Sequence, residues 1–124
     1  MWKHLLLNLC LLLPVQAADY TKRLSPEEVE KLIRDEKNLF LLDVREAKEV
    51  AELGAIKGYI NIPLSELESR LKEVPKDKVI VTVCNRAVRA STGAEILARN
   101  GYTHIAGACS MNDWKEQKKP VTGK

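Results

Sequence analysis

The sequence predicts an α/β fold in which a mainly parallel sheet of roughly five strands has helices on both faces. Two apolar runs, residues 39–44 and 79–83, lack the polar alternation of a half-exposed strand, which indicates strands covered on both sides. Helical patterns lie between the strand-like runs, as expected when helices connect parallel strands. The 124 residues are enough for one modest domain.

Local signals set the predicted element boundaries. Ser25 is a candidate N-cap, with Pro26 in the first turn and Glu28 placed to complete a capping box, which predicts a helix that begins at Pro26. The other predicted elements are a short edge strand at 22–24, strand 39–44, helix 46–52, strand 59–62, a helix capped by Ser65, strand 79–83, helix 90–100, strand 104–106 and helix 111–118.

Both ends of the chain are predicted to lie outside the folded domain, which we place at residues 20–118. Residues 1–17 combine an early lysine, a leucine-rich stretch too short to span a bilayer, and small residues suited to signal-peptidase cleavage before Ala18. The sequence therefore predicts a cleavable signal peptide and a periplasmic protein, with secretion as the alternative. Residues 119–124 are expected to form a flexible polar tail.

Composition narrows the classes of partner. A net charge of +3 is too weak to indicate nucleic-acid binding, and no basic run with interleaved aromatic residues is present in the sequence. The apolar content gives no sign of an obligate dimer, so we expect a monomer. Cleavage before Ala18 would leave two cysteines, Cys84 and Cys109, which in an oxidising compartment could also form a structural bridge.

The stretch 84–89, C-N-R-A-V-R, joins a predicted buried strand to the helix that follows it. Backbone N–H groups of such a loop can converge on one point, and the helix N-terminus, Arg86 and Arg89 add positive charge. This environment favours a thiolate, so Cys84 is a candidate nucleophile beside an anion-binding loop. The alternative, a small buried apolar residue, is disfavoured because α/β sheets bind ligands at the carboxyl ends of their strands.

Five short motifs, in this order, resemble the single-domain rhodaneses, a family of sulfurtransferases. They are L-L-D-V-R-E at 41–46, G-A-I-K-G-Y-I-N-I-P-L at 54–64, C-N-R-A-V-R at 84–89, N-G-Y-T-H-I at 100–105 and M-N-D-W at 111–114. The resemblance extends from about Leu24 to Trp114 and implies the rhodanese-like form of the α/β fold. Asp43 and Arg45, at the end of the other buried strand, are either a pair that supports the loop or a polar strand terminus.

The resemblance also implies a mechanism. Cys84 would take the outer sulfur of a small anionic donor such as thiosulfate as a persulfide, and pass it to cyanide, a thiol or a thioredoxin-like protein. The loop N–H groups would hold that sulfur, and Arg86 or Arg89 would orient the leaving anion. The implied substrate-binding residues are Asn85, Arg86, Ala87, Val88 and Arg89. No metal or organic cofactor is needed, and His104 is expected on the surface rather than as a general base.

The chain departs from the family pattern at several positions. The loop usually has glycine where Ala87 stands, and if this position needs a positive φ, alanine costs about 1 kcal/mol. Cys109 and Ser110 replace a usual glycine pair. Cys109 is therefore a candidate resolving thiol for Cys84, or a solvent-facing thiol without a role. Two alternative functions follow, a sulfur-carrier or persulfide-binding module and a thiol redox protein. The C-x4-R spacing favours sulfur transfer over the phosphatase or arsenate reductase chemistry of C-x5-R loops.

Overall fold

The structure, a computed structural model, describes residues 19–122, so the predicted signal peptide at 1–17 lies outside the described residues. The strands are β1 Arg23–Leu24, β2 Leu39–Asp43, β3 Ile60–Asn61, β4 Val79–Cys84 and β5 Ile105–Ser110. The α-helices are α1 Pro26–Asp35, α2 Ala47–Leu53, α3 Val88–Arg99 and α4 Met111–Glu116, and two 3-10 segments span Leu64–Glu66 and Glu68–Glu73. No helix among residues 19–122 has both the length and the apolar content needed to cross a membrane.

The five strands form one sheet in the order β1-β5-β4-β2-β3, and every neighbouring pair is parallel. This confirms the predicted α/β class. The two apolar runs of the sequence are β2 and β4, which lie side by side in the interior of the sheet. Because Asp43 pairs with Val83, the carboxyl ends of β2 and β4 meet, and the residues after β2 lie beside Cys84.

Apolar side chains cover both faces of the sheet, which explains why β2 and β4 lack polar alternation. We call the side under α3 and the 3-10 segments the α3 face, and the opposite side, under α1 and α4, the α1 face. The α3-face cluster includes Leu42, Val44, Ile80, Cys84, Ala90 and Leu97. The α1-face cluster includes Val29, Leu41, Val81, Val83, Cys109 and Trp114.

The segment predicted as one helix capped by Ser65 is instead two 3-10 segments. Arg70 breaks the helical backbone with φ −119° and ψ 21°, and its guanidinium pairs with both Glu66 and Glu73. Two apolar pairs spaced three apart, Leu64 with Leu67 and Leu71 with Val74, suit a helix of three residues per turn.

Strand β5 continues to Ser110, well beyond the predicted 104–106. Its second half consists of small residues with little intrinsic strand preference, so pairing with β1 and β4 decides its conformation. Gly107 is required there, because it has a φ of 151° and a Cβ at this position would lie 2.5 Å from the Lys22 carbonyl oxygen. Close approach of β1 thus explains a glycine inside a strand.

Residues 119–122, expected in a flexible tail, are held against the domain. Ala55 and Thr122 exchange two backbone hydrogen bonds of 2.8 and 2.7 Å. The buried Trp114 indole donates to the Pro120 carbonyl at 2.8 Å, and Val121 packs against the α1-face cluster. A buried indole N–H needs an acceptor, and this segment supplies it.

Candidate active site

Cys84 is the last residue of β4 and only 1% exposed. Its sulfur accepts a hydrogen bond of 3.2 Å from the backbone N–H of Ala90. Ala90 lies in the first turn of α3, where N–H groups have no partner within the helix and carry partial positive charge. The sequence therefore places the thiol where a helix N-terminus stabilises negative charge on sulfur.

The backbone reaches α3 through Ala87, which has left-handed dihedral angles, φ 69° and ψ −4°. The condition stated for this position, a positive φ, is thus met. Its carbonyl accepts from the Ser91 N–H at 2.9 Å, so the left-handed residue starts the helix. Alanine in this conformation costs about 1 kcal/mol relative to glycine.

The two loop arginines have different surroundings. Arg89 makes two hydrogen bonds of 2.7 Å to the Glu49 carboxylate on α2. These bonds lower the pKa of Glu49 to about 2 and raise that of Arg89. Arg86 is exposed and forms no ion pair with the described residues. Arg86 thus keeps a charge that a ligand could use, while the charge of Arg89 is compensated.

Asp43 and Arg45 form a fully buried ion pair behind the loop. The Arg45 guanidinium donates to the Asp43 carboxylate at 2.7 and 2.9 Å and to the Gly54 carbonyl at 2.9 Å. Its remaining nitrogen, Nη1, donates to Asn85 Oδ1 at 3.2 Å. Of the two interpretations open from the sequence, the structure shows the one in which this pair contacts the loop.

Asn85 connects these elements through both its side chain and its backbone. Its amide group accepts from Arg45 and donates to Glu49 at 3.2 Å. Its backbone carbonyl accepts from Ser110 Oγ at 2.8 Å and from the Asn112 N–H at 3.0 Å. Neither Glu49 nor Asn112 was predicted from the sequence as part of this site. Glu49 had a usable signal, because an acidic residue one helical turn after Arg45 lies at the same edge of the sheet as the loop.

Val88, the first residue of α3, is 67% exposed beside Arg86, so it borders the loop as an apolar surface residue. His104 is exposed and precedes β5, at the end of the sheet opposite the loop, as expected for a surface residue. Within residues 19–122, no group of three or more His, Cys, Asp or Glu side chains is arranged to hold a metal ion.

The structure does not bring Cys109 to Cys84. Cys84 pairs with Ser110 across the sheet, and Cys109 pairs with Val83, so the two thiols point to opposite faces. Cys109 is 1% exposed, which also contradicts the solvent-facing alternative. Burial raises its pKa to about 12. The hypothesis of a resolving thiol at Cys109 is not supported by this geometry, because adjacent residues of a strand face opposite ways.

Comparison with known proteins identifies the family of the chain. The family model of the rhodanese-like domain matches residues 25–117. The chain is 28% identical over 99 residues to the Bacillus subtilis protein YtwF, covering 80% of this chain and 95% of YtwF. It is 34% identical over 74 residues to the thiosulfate sulfurtransferase PspE of Escherichia coli, covering 58% of this chain and 70% of PspE. Its matches to two other B. subtilis proteins span 51% and 49% of their lengths.

Among solved structures, the crystal structure of a rhodanese-related protein from Thermoplasma volcanium matches with a TM-score of 0.72 and 27% identity. The match covers 83% of this chain and 99% of that protein. The cysteine at the end of β4, the six-residue loop and the flanking helices therefore occur within a known family architecture. The chain belongs to the rhodanese-like family, whose members include sulfurtransferases.

Proposed function

We propose that the protein is a sulfurtransferase that carries sulfur as a persulfide on Cys84 and takes it from an anionic donor such as thiosulfate. The observation that carries this proposal is the hydrogen bond from the Ala90 N–H to Cys84 Sγ at the start of α3. A fixed N–H dipole stabilises a thiolate before the transfer and a negatively charged persulfide after it. The name of PspE supports thiosulfate as the donor.

The transfer proceeds in two displacements. In the first, Cys84 Sγ attacks the outer sulfur of thiosulfate, so that a new S–S bond forms, the S–S bond of the donor breaks, and its electron pair leaves with sulfite. In the second, cyanide attacks the outer sulfur of the persulfide, so that a C–S bond forms and the electron pair of the broken S–S bond returns to Cys84. A thiolate acceptor, free or on a thioredoxin-like protein, would take the sulfur in the same way. Such a cycle has ping-pong kinetics.

Arg86 is the residue that we assign to the leaving anion. Arg89 is engaged by Glu49 through two charge-assisted hydrogen bonds, which are the strong kind. Arg86 is exposed and next in the loop to Asn85, so its guanidinium is free to bind the negatively charged sulfonate end of thiosulfate, which then leaves as sulfite. We expect Arg86→Ala to raise the KM for thiosulfate about tenfold, the usual effect of losing a charged hydrogen bond.

Arg99→Ala is the matched control, since Arg99 is an exposed arginine at the far end of the same helix. It should leave the KM within about twofold, because charges separated by more than a Debye length are largely screened. Equal effects of the two substitutions would show that Arg86 acts only through net charge.

A second candidate function is a sulfur carrier with little turnover of its own. It is favoured by the burial of Cys84, which is 1% exposed and would be sheltered until a partner approached the loop. A carrier would form the persulfide but release its sulfur slowly to cyanide. Turnover of thiosulfate with cyanide by the unmodified protein separates the two functions.

The decisive experiment is mass spectrometry after treatment with thiosulfate. One added sulfur atom should appear on the peptide that contains Cys84, disappear on addition of cyanide, and be absent in Cys84→Ser. Cys109→Ser should gain the sulfur as the unmodified protein does, because Cys109 faces the other side of the sheet. Absence of added sulfur on Cys84 at any donor concentration would contradict both the sulfurtransferase and the sulfur-carrier function. Equal loss of sulfur transfer in Cys84→Ser and Cys109→Ser would support the thiol redox alternative.

We also propose that the protein is exported, on the evidence of residues 1–17 alone. N-terminal sequencing of protein recovered from the periplasm or medium should begin at Ala18. Recovery of protein that still begins at Met1 in the cytoplasm would contradict export without affecting the sulfur chemistry.

A further inference from the structure

The side chain of Ser110 contacts the active-site loop and the last helix at the same time. Its Oγ lies 2.8 Å from the Asn85 carbonyl oxygen and 3.1 Å from the Asp113 backbone nitrogen. A carbonyl can only accept and an N–H can only donate, so the single hydroxyl proton is directed to Asn85. Ser110 is 1% exposed, so water does not compete freely for these bonds.

Holding the Asn85 carbonyl fixes the orientation of the following peptide unit. The described peptide bonds are all trans, and in a trans peptide the C=O and the next N–H point in opposite directions. The bonds from Ser110 and from the Asn112 N–H therefore also determine where the Arg86 N–H points. The Asn85 side chain is held separately by Arg45 and Glu49.

We propose that Ser110 is a positioning residue for sulfur transfer, acting through the Asn85 carbonyl on the loop that surrounds Cys84. The backbone of Ser110 is ordinary extended chain, φ −99° and ψ 119°, so any residue could stand here without strain. The hydroxyl is thus the feature of Ser110 that alanine or glycine at this position would lack. The effect on rate rests on the proposed sulfurtransferase function, whereas the effect on loop order does not.

A merely structural role for Ser110 would be that of N-cap of α4, and the chain offers a matched control for it. Ser25 caps α1 with the same geometry, because its Oγ accepts from the Glu28 N–H at 3.1 Å. Ser25 makes no contact with the loop among its described hydrogen bonds. Ser25→Ala therefore removes a cap alone, whereas Ser110→Ala removes a cap and the bond to Asn85.

The experiment compares Ser110→Ala, Ser110→Gly and Ser25→Ala by thermal unfolding, by thiosulfate-to-cyanide kinetics and by the 15N order parameter of the Arg86 amide. All three variants should unfold at lower temperature. Only the Ser110 variants should lower the Arg86 order parameter and reduce kcat, about three- to tenfold, with KM nearly unchanged. Activity should not be abolished, because the Asn112 N–H still holds the carbonyl.

The outcomes separate this proposal from the proposed function. If Ser110→Ala matches Ser25→Ala in kcat and in the Arg86 order parameter, Ser110 is only a helix cap and the proposal is overturned. A lower order parameter with unchanged kcat also overturns it as a statement about transfer. If the unmodified protein transfers no sulfur while Ser110→Ala still loosens the Arg86 amide, the loop contact stands and the proposed function fails.

Discussion

Cys84 and Cys109 are equally buried, yet their surroundings differ. Each is 1% exposed, and they lie on neighbouring strands. Cys84 ends its strand, and its sulfur accepts an N–H from the start of α3. Cys109 lies one residue before the end of β5, within the α1-face cluster, and burial raises its pKa to about 12. Exposure alone therefore does not distinguish the two cysteines, which differ in whether an N–H at a helix N-terminus reaches the sulfur.

The largest effect that we expect is the protection of Cys109. A pKa of about 12 leaves about a thousandfold less thiolate than an ordinary cysteine has at neutral pH. Alkylation of the Cys109 peptide should therefore be at least about a thousandfold slower in the folded protein than in urea. Mass spectrometry of iodoacetamide-treated protein measures both rates.

An alkylation rate of Cys109 in the folded protein within about tenfold of the rate in urea would contradict the difference between the two cysteines, since alkylation follows the population of the thiolate.

The raised pKa of Cys109 also makes the free energy of unfolding depend on pH. Because the folded pKa is raised, stability from this group is present below pH 9 and is lost as pH rises toward 12. Cys109→Ala should remove that part of the alkaline loss.

The second effect concerns Glu49, which supports the loop on the Cys84 side. Its folded pKa of about 2 lies below the ordinary 4.5, so its contribution to stability is complete above pH 4.5 and is lost as pH falls toward 2. We expect Glu49→Gln to lower the free energy of unfolding at pH 7 by about 1 kcal/mol, well below the full linkage value, because the pair is partly exposed and solvent screens it. Urea denaturation between pH 2 and 7 measures this.

Glu73→Gln is the control for the Glu49 experiment. Glu73 also pairs with an arginine, Arg70, but on the exposed 3-10 segment. Its loss should change stability and sulfur transfer less than the loss of Glu49. If Glu49→Gln and the unmodified protein lost the same free energy of unfolding between pH 4.5 and 2, the ion pair of Glu49 with Arg89 would not stabilise the loop.

The smallest effect concerns the left-handed residue of the loop. Ala87→Gly should raise the free energy of unfolding by about 1 kcal/mol, because glycine adopts a positive φ without strain. Lys118→Gly tests the same backbone effect away from the site, since Lys118 has a φ of 59° after α4. Both variants should be stabilised, but only Ala87→Gly should alter kcat. Destabilisation by Ala87→Gly would show that the alanine methyl contributes more by packing than it costs in strain.

The sequence predicted the parts of this fold in which local chemistry and tertiary structure agree. The runs that became β2 and β4 are apolar, the second of them also rich in β-branched residues, and Ser25 with Glu28 forms the expected capping box. The end of β5 was missed because its small residues become a strand only by pairing on both sides. Likewise, residues 119–122 were predicted to form a flexible polar tail, but Glu30, Ala55 and Trp114 give them hydrogen-bond partners.

The candidate site also has parts that the sequence predicts and parts that only the tertiary structure reveals. Cys84, its loop and the left-handed Ala87 could be predicted, because strand, loop and helix are consecutive in the chain. The face of the sheet on which the Cys109 side chain lies could not be predicted, because it depends on the register of β4 against β5, which shifts at Ile80/Val81. Glu49 and Asn112 reach the loop from other elements: the strand order brings Asn112 there, whereas the place of Glu49 one turn after Arg45 was a signal that the sequence offered.

The two backbone hydrogen bonds between Ala55 and Thr122 bear on where this domain ends. A chain trimmed to residues 25–117, the part matched by the family model, would lose Thr122 and both backbone bonds to Ala55. Ala55 follows Gly54, whose carbonyl receives the Arg45 guanidinium. Five residues beyond the homologous segment are thus connected, through Ala55 and Gly54, to the buried Arg45 guanidinium behind the 84–89 loop. The boundary given by hydrogen bonding lies past the boundary given by sequence similarity.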